Sequence, residues 1–276
     1  MKAVKVFAPA KVNLTLHVTG QRADGYHLLD SLVMFADLGD RLTLVESGTT
    51  HLEVTGPMAA GVPVGPENLV LRAAQLFDLP VAITLAKYLP MAAGLGGGSS
   101  DAAACALGLA DLSDRRDLPE ALLGLGADIR VCLLRQAARM QGIGEIVTPV
   151  AGLPSLAAVL VNPGVPVATP QVFAALRHKA NAPMPRRLPA RLDARGLIRW
   201  LAGQRNDLEA PARALEPAVG RVLEALEGCA DARLVRMSGS GATCFALFDG
   251  IGQAEAAAAA LTRTHPGWWV RATLLH

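Results

Sequence analysis

No stretch of about 18 or more residues in this chain stays apolar and uncharged, so no segment reads as a bilayer-spanning helix. The opening residues, Met1 to Val18, hold lysines and an Ala-Pro-Ala triplet, and Lys11 and Asn13 interrupt the apolar run too early for a secretory signal. Cysteine is scarce: Cys105, Cys132, Cys229 and Cys244 lie far apart, without the paired spacing of zinc sites or small disulfide scaffolds. A reducing, cytoplasmic setting is expected. An excess of one charge is also lacking, since 26 Lys and Arg face 24 Asp and Glu, and a net charge of +2 supplies no strong field toward nucleic acid or acidic membranes. Neither is expected as a partner, and the residues assign no oligomeric state. Aromatic residues make up only 4% of the chain, which singles out Tyr26, placed in a polar turn after Asp24-Gly25 where it cannot easily join a core.

What is present is a large apolar fraction, 51% of 276 residues against 18% charged, enough for two lobes that each bury a core. Strands are expected at Val4 to Phe7, Val12 to Val18, Leu28 to Phe35, Arg41 to Val45 and Val81 to Leu85, with a helix over Glu67 to Phe77. Ser99 to Leu112 is alanine-rich and predicts a tightly packed helix, with a second over Pro119 to Leu125. The small apolar strand Ala157 to Val161 ends in an Asn-Pro-Gly turn where a second lobe can begin, so the division is placed at 1–155 and 156–276. Helices at Leu192 to Leu201, Ala218 to Leu226 and Gln253 to Leu261 alternate with strands at Leu234 to Met237, Thr243 to Phe248 and Trp268 to Leu274, an α+β arrangement. The proline-punctuated basic stretch His178 to Arg191 reads as a mobile surface loop with solvated charges.

The segment Pro90-Met91-Ala92-Ala93-Gly94-Leu95-Gly96-Gly97-Gly98-Ser99-Ser100-Asp101 runs directly into the alanine helix. Glycines there expose backbone N–H groups at a helix N-terminus, which attracts anions. Ser99 or Ser100 is expected to cap the helix and to offer a hydroxyl to phosphate or metal. A glycine-rich hairpin turn is the plainer alternative, lowered by the strand-loop-helix context. No Gly-Lys-Ser/Thr follows, so this is not a Walker motif.

Pro90 to Ala104 resembles the signature of the GHMP kinase superfamily, named after galactokinase, homoserine, mevalonate and phosphomevalonate kinases. Pro9-Ala10-Lys11-Val12-Asn13-Leu14, Gly20 to His27 and Arg236 to Phe245 extend the resemblance toward members acting on an alcohol that carries a cytidine diphosphate group. Glu67 to Val70, Leu125 to Asp128, Gly142 to Glu145 and Asn206 to Glu209 also match in order, so the likeness covers essentially the whole chain. It implies an N-terminal ribosomal-protein-S5-like lobe and a C-terminal ferredoxin-like lobe, with ATP and substrate bound between them and Mg2+ as companion of the nucleotide. Homoserine or mevalonate kinase is the nearest rival; a binding protein that kept the fold and lost catalysis is the rival from another class.

Lys11, Asn13, Thr15 and His17 fall on one face of the expected strand. A solvated sheet face explains the pattern and is the reading adopted for His17. For Lys11 and Asn13 the resemblance implies a place beside the reacting hydroxyl. Asp128, alone in an apolar glycine-flanked run, reads by itself as a helix cap about as readily as a catalytic acid; the resemblance makes it the proton acceptor, with a plain Lys11–Asp128 ion pair as the alternative. Arg130 stands where the family usually has proline, which would hold Ile129 extended. By the same resemblance Pro90, Gly94, Leu95, Gly96, Gly97, Gly98, Ser99 and Ser100 hold the phosphates, and Asn68 and Lys87 lie near the adenine. Tyr26, His27, Thr169 and Phe173 grip the cytosine end, although Phe173 alone reads as an apolar helix face and His27 as a surface strand residue. The Ser238-Gly239-Ser240-Gly241 turn is expected near the phosphates. No metal ligand is assigned; Ser99, Ser100 and Asp101 are candidates.

Overall fold

The computed structural model describes residues 2–115, 117–187 and 192–276. Along the chain run β1 (Ala3–Asn13), β2 (His17–Gln21), β3 (His27–Glu46), β4 (His51–Thr55), α1 (Leu69–Ala74), β5 (Val81–Ala86), α2 (Gly97–Leu112), a 3-10 turn (Glu120–Leu125), α3 (Ile129–Leu134), β6 (Ala138–Gly142), β7 (Ile146–Pro149), β8 (Leu156–Asn162), α4 (Thr169–Ala174), α5 (Ala194–Ala202), α6 (Glu209–Leu215), α7 (Pro217–Glu227), β9 (Leu234–Met237), β10 (Cys244–Phe248), α8 (Ile251–Thr264) and β11 (Trp269–Leu275). The α+β class expected from the alternation of periods is the one found. Among the described residues no helix is long and apolar enough to cross a membrane.

Two compact units emerge, one of residues 1–11, 38–91 and 96–135, the other of 12–37, 92–95 and 136–276. They interleave in sequence, and the boundary expected near residue 155 falls inside the second unit. In the first unit, residues 41–46 of β3 pair antiparallel with β5, which takes β4 as a parallel neighbour. Helices α1 and α2 cover this sheet around Leu42, Leu44, Ile83, Leu85, Ala102, Ala106 and Leu109. Helix α2 packs closely on the sheet: a Cβ at Gly108 would stand 2.4 Å from Leu44 Cδ1 and 2.6 Å from Val6 Cγ2, so a larger residue would push those side chains aside.

In the second unit β11, β8, β10 and β9 are antiparallel neighbours, and β8, buried along its whole length, sits in their middle. Its unbroken apolar run follows from that central position. Helices α7 and α8 pack onto these strands through Val219, Val222, Leu226, Ala254 and Leu261. The earlier residues of β3 pair with β2 and β6.

Three expectations are corrected. The strand expected over Val12 to Val18 is two strands, interrupted at 14–16. The face carrying Asn13, Thr15 and His17 is buried, not solvated, His17 being 2% exposed. The basic stretch from His178 is pinned through its described part, while its last residues, 188–191, lie outside the described residues. Asp30 accepts the Met184 N–H at 2.9 Å, and Arg139 donates to the carbonyls of Met184, Pro185 and Arg186 at 3.2, 3.0 and 3.1 Å. Composition suggested a loose loop because the partners that hold it lie far away in sequence.

His17 illustrates how burial fixes a protonation state. Its Nδ1 lies 3.2 Å from the Ala182 carbonyl and its Nε2 accepts the Arg205 N–H at 3.4 Å, an arrangement that requires the neutral ring. Burial, aided by the Arg205 charge, holds its pKa below the ordinary 6.5. The unfolded chain therefore takes up a proton at a higher pH than the folded one. This contribution to stability is complete above 6.5 and is lost as pH falls through the lower folded value. Unfolding free energies from urea titrations at pH 7.5 and 5.5 are expected to fall toward acid, and His17→Gln to flatten that slope.

Candidate active site

Two glycines shape the segment between β5 and α2. Gly94 has φ 72° and Gly96 φ 63°, left-handed values that side chains resist. Gly96 is the N-cap of α2, and the helix starts at Gly97. This corrects the expected serine cap: Ser100 lies inside the first turn and donates its hydroxyl to the Pro9 carbonyl at 2.8 Å, while Ser99 is half-buried. No side chain caps this helix end, so the first N–H groups of α2 have no side-chain acceptor at the N-cap, the arrangement that favours an anion.

Lys11 comes from β1 and Asp128 from the residue just before α3, and both belong to the first unit. Lys11 Nζ donates to Asp128 Oδ2 at 2.8 Å, the lysine side chain 6% and the aspartate side chain 30% exposed. Asp128 occupies the N-cap position of α3 without making a capping bond, so the carboxylate serves Lys11 instead of the helix end. The pair lies directly against the glycine turn: a Cβ on Gly96 would be 3.2 Å from Lys11 Cε and 3.5 Å from Asp128 Oδ2. At position 130 an exposed arginine replaces the expected proline, and Ile129 opens a helical turn there instead of lying extended.

Asn68 and Lys87, expected near the adenine, both make bonds within the protein. Asn68 caps α1, accepting the Val70 N–H at 2.9 Å and donating to the Pro63 carbonyl at 2.6 Å. Lys87 is buried and its ammonium donates to Asp101 Oδ2 at 2.8 Å and to Asp40 Oδ2. Burial opposes the lysine's charge, but the Asp101 and Asp40 carboxylates outweigh it and hold its pKa above the ordinary value. Burial pushes the Asp101 carboxyl up, with Lys87 pulling it back and Asp40 adding to the rise. Asp40 carried no signal in the sequence, because nothing in a lone Gly-Asp-Arg announces a partner 47 residues away. Pro90 and Leu95 are buried supports of the loop, and Gly98 is exposed.

In the second unit the Ser238-Gly239-Ser240-Gly241 turn meets Gly94. Ser238 Oγ accepts the Asn13 N–H at 3.0 Å and donates to the Gly94 carbonyl at 2.9 Å. A Cβ at Gly94 would stand 2.3 Å from the Ser238 carbonyl oxygen, so this contact also requires glycine. Asn13 donates to Ser31 Oγ at 2.8 Å and keeps its buried Oδ1 without a partner. His27 and Phe173 stack on each other, centroids 4.9 Å apart at 22°, and His27 Nε2 has no partner. Burial, followed by the Lys179 charge, lowers the His27 pKa, which favours the neutral ring. Tyr26 beside it is 61% exposed, and Thr169, the first residue of α4, shares a 2.7 Å hydrogen bond with Ser240.

The chemistry of the donors limits what metal the chain can hold. Among the described residues no group of three or more His, Cys, Asp or Glu is gathered as a metal cage. Ser100 and Asp101, two of the three magnesium candidates, are buried and bonded to Pro9 and Lys87. The donor set fits a magnesium ion arriving on phosphates, with most of its ligands from phosphate and water, better than one caged by the protein.

A glycine turn at a helix end without a side-chain cap, set against a lysine–aspartate pair, is an arrangement suited to handling phosphate groups. The chain belongs to the GHMP kinases: their N-terminal domain matches residues 68–141 and their C-terminal domain residues 190–267. It is 60% identical over 270 residues to the 4-diphosphocytidyl-2-C-methyl-D-erythritol kinase of Dinoroseobacter shibae, covering 98% of this chain and 94% of that one. The enzyme of the same name from Roseobacter denitrificans is 53% identical over 99% of this chain and 94% of its own. A crystal structure of 4-(cytidine 5'-diphospho)-2C-methyl-D-erythritol kinase superposes with a TM-score of 0.81 at 38% identity, covering 98% of both chains. Homoserine kinase from Cytophaga hutchinsonii shares the fold, TM-score 0.66, at 18% identity over 99% of this chain and 95% of that one.

Proposed function

We propose that this chain transfers the γ-phosphoryl group of ATP to the 2-hydroxyl of 4-diphosphocytidyl-2-C-methyl-D-erythritol, giving the 2-phosphate and ADP, a cytoplasmic step of the non-mevalonate route to isoprenoid precursors. The observation that carries the chemistry is the Lys11–Asp128 pair, 2.8 Å apart and in contact range of Gly96. Asp128 accepts the proton of the attacking hydroxyl. Lys11 donates to that carboxylate and offsets charge on the phosphoryl oxygens. The transition state of phosphoryl transfer is loose, so positioning outweighs the strength of the base. Backbone N–H groups from Gly96 to Ser100 hold the nucleotide phosphates, with Gly94, Leu95 and Pro90 setting the path of the loop. When bound with the nucleotide, Mg2+ would supply charge neutralisation at those phosphates, and Ser99 would be the side chain to hold it through its hydroxyl. Asn13, with one buried acceptor unspent, orients the polyol. The His27–Phe173 stack, with Tyr26 and Thr169, receives the cytosine, which explains an aromatic pair kept half-buried with a ring nitrogen unpaired.

The test is ADP release from the purified protein given ATP, Mg2+ and each candidate alcohol in turn. Turnover is expected with the cytidine diphosphate substrate and not with homoserine or mevalonate, which have no base to stack. Homoserine turnover equal to or better than that of the cytidyl substrate would remove the specific assignment.

A further inference from the structure

The ends of the glycine loop meet one cluster of three buried charges. On the entering side, Asp40 Oδ1 accepts the N–H groups of Tyr88 and Leu89 at 2.5 and 2.9 Å, immediately before Pro90. On the leaving side, Asp101 in the first turns of α2 accepts from Lys87 Nζ at 2.8 Å, and the same ammonium donates to Asp40. Asp40, Lys87 and Asp101 all belong to the first unit and are 0, 4 and 2% exposed. A Cβ placed on Gly97 would lie 3.7 Å from Lys87 Nζ and 3.9 Å from Asp40 Oδ2, so the ammonium sits directly behind the backbone of the first helical residue.

Such a cluster is poorly suited to stability. One ammonium faces two carboxylates in a site without solvent, and Asp101 Oδ1 has no hydrogen-bond partner. Buried ion groups of this kind are often no better for stability than apolar residues of the same size, and an uncompensated charge is worse. Their placement at the two roots of one loop suits a role in which geometry matters more than folding energy.

We propose that Asp40, Lys87 and Asp101 form a positioning cluster that ties the two roots of the glycine loop together and thereby holds Gly96 and Gly97 in the shape that receives the nucleotide phosphates. The inference rests on the ATP reading above. None of the three touches the nucleotide; they act through the backbone of the loop.

The consequence is a separation of stability from binding. Asp101→Ala leaves Lys87 paired one-to-one with Asp40 inside an alanine-rich helix, and Asp101→Asn keeps the shape while removing the charge. Both are to be compared with the wild-type full chain by calorimetric titration with ATP and Mg2+ and by thermal melting without nucleotide. The expected result is ATP affinity lowered at least about fivefold, with the melting temperature within about 5 °C of wild type or above it. Affinity changed by less than that in both variants overturns the inference. So does a fall in melting temperature beyond that margin in both, or failure of both to fold, since either assigns the cluster to the fold alone. A wild-type chain that binds ATP but transfers nothing to the cytidyl alcohol sinks the proposed reaction and leaves the clamp standing; one that does not bind ATP sinks both.

Discussion

Replacing Asp128 by Asn is expected to lower kcat by at least about a hundredfold while ATP affinity stays nearly unchanged. The amide keeps the size of the carboxylate but cannot take the proton of the attacking hydroxyl. It also removes the charge to which Lys11 donates at 2.8 Å, leaving an ammonium 6% exposed without its partner. In the proposed arrangement nucleotide affinity comes from the backbone N–H groups of the glycine loop, to which the Asp128 carboxylate contributes nothing. The loss therefore falls on the chemical step, visible as a drop in single-turnover rate with an unchanged titration curve for ATP. If the variant turned over at the wild-type rate, the pair would be a structural ion pair and the mechanism would be wrong even where the substrate was right.

The largest expected effect on stability comes from Arg139→Ala, about 3–5 kcal/mol, the range found when one partner of a buried ion pair is removed. Arg139 binds Asp30 through two parallel bonds, Nε to Oδ1 at 2.7 Å and Nη2 to Oδ2 at 2.6 Å, with side-chain exposures of 12% and 2%. A surface pair would be worth at most about 1 kcal/mol, and this is not one. Removing the guanidinium leaves a buried carboxylate with the Met184 N–H, and it frees the segment 184–186 whose carbonyls Arg139 also holds. The corresponding drop in melting temperature is about 10 °C for a chain of this size. Arg139→Lys is expected to recover little of it, because an ammonium cannot make the fork. A calorimetric scan showing less than a 3 °C change would mean the segment is held by its other contacts, among them Thr15 to Met184 and Asn181 to Val18.

Much of the fold was readable from period and composition. Strands β5, β8, β9, β10 and β11 and helices α5, α7 and α8 lie within a few residues of where alternation and the 3.6 repeat put them. The short elements β4, α3, β6, β7, α4 and α6 were not anticipated, since four to seven residues give too little period to read and their order comes from packing. The break between β1 and β2 was hidden for a different reason: alternation continues through Leu14, Thr15 and Leu16 although the chain there turns to bond with Leu32 and Arg205.

The sequence by itself determined the chemistry that neighbours along the chain can supply. A glycine run entering an alanine-rich helix dictates exposed backbone N–H groups, and the motifs along the chain resemble those of the GHMP kinases. Which charges meet was decided only by tertiary structure. Lys11 and Asp128 are 117 positions apart, Asp30 and Arg139 109, and Asp40 and Lys87 47. An ion pair of that span leaves no local pattern, because its strength depends on which elements cover it and exclude water. Burial likewise turned His17 from an expected surface residue into a neutral core ring, and it set Lys87 at the centre of a buried cluster.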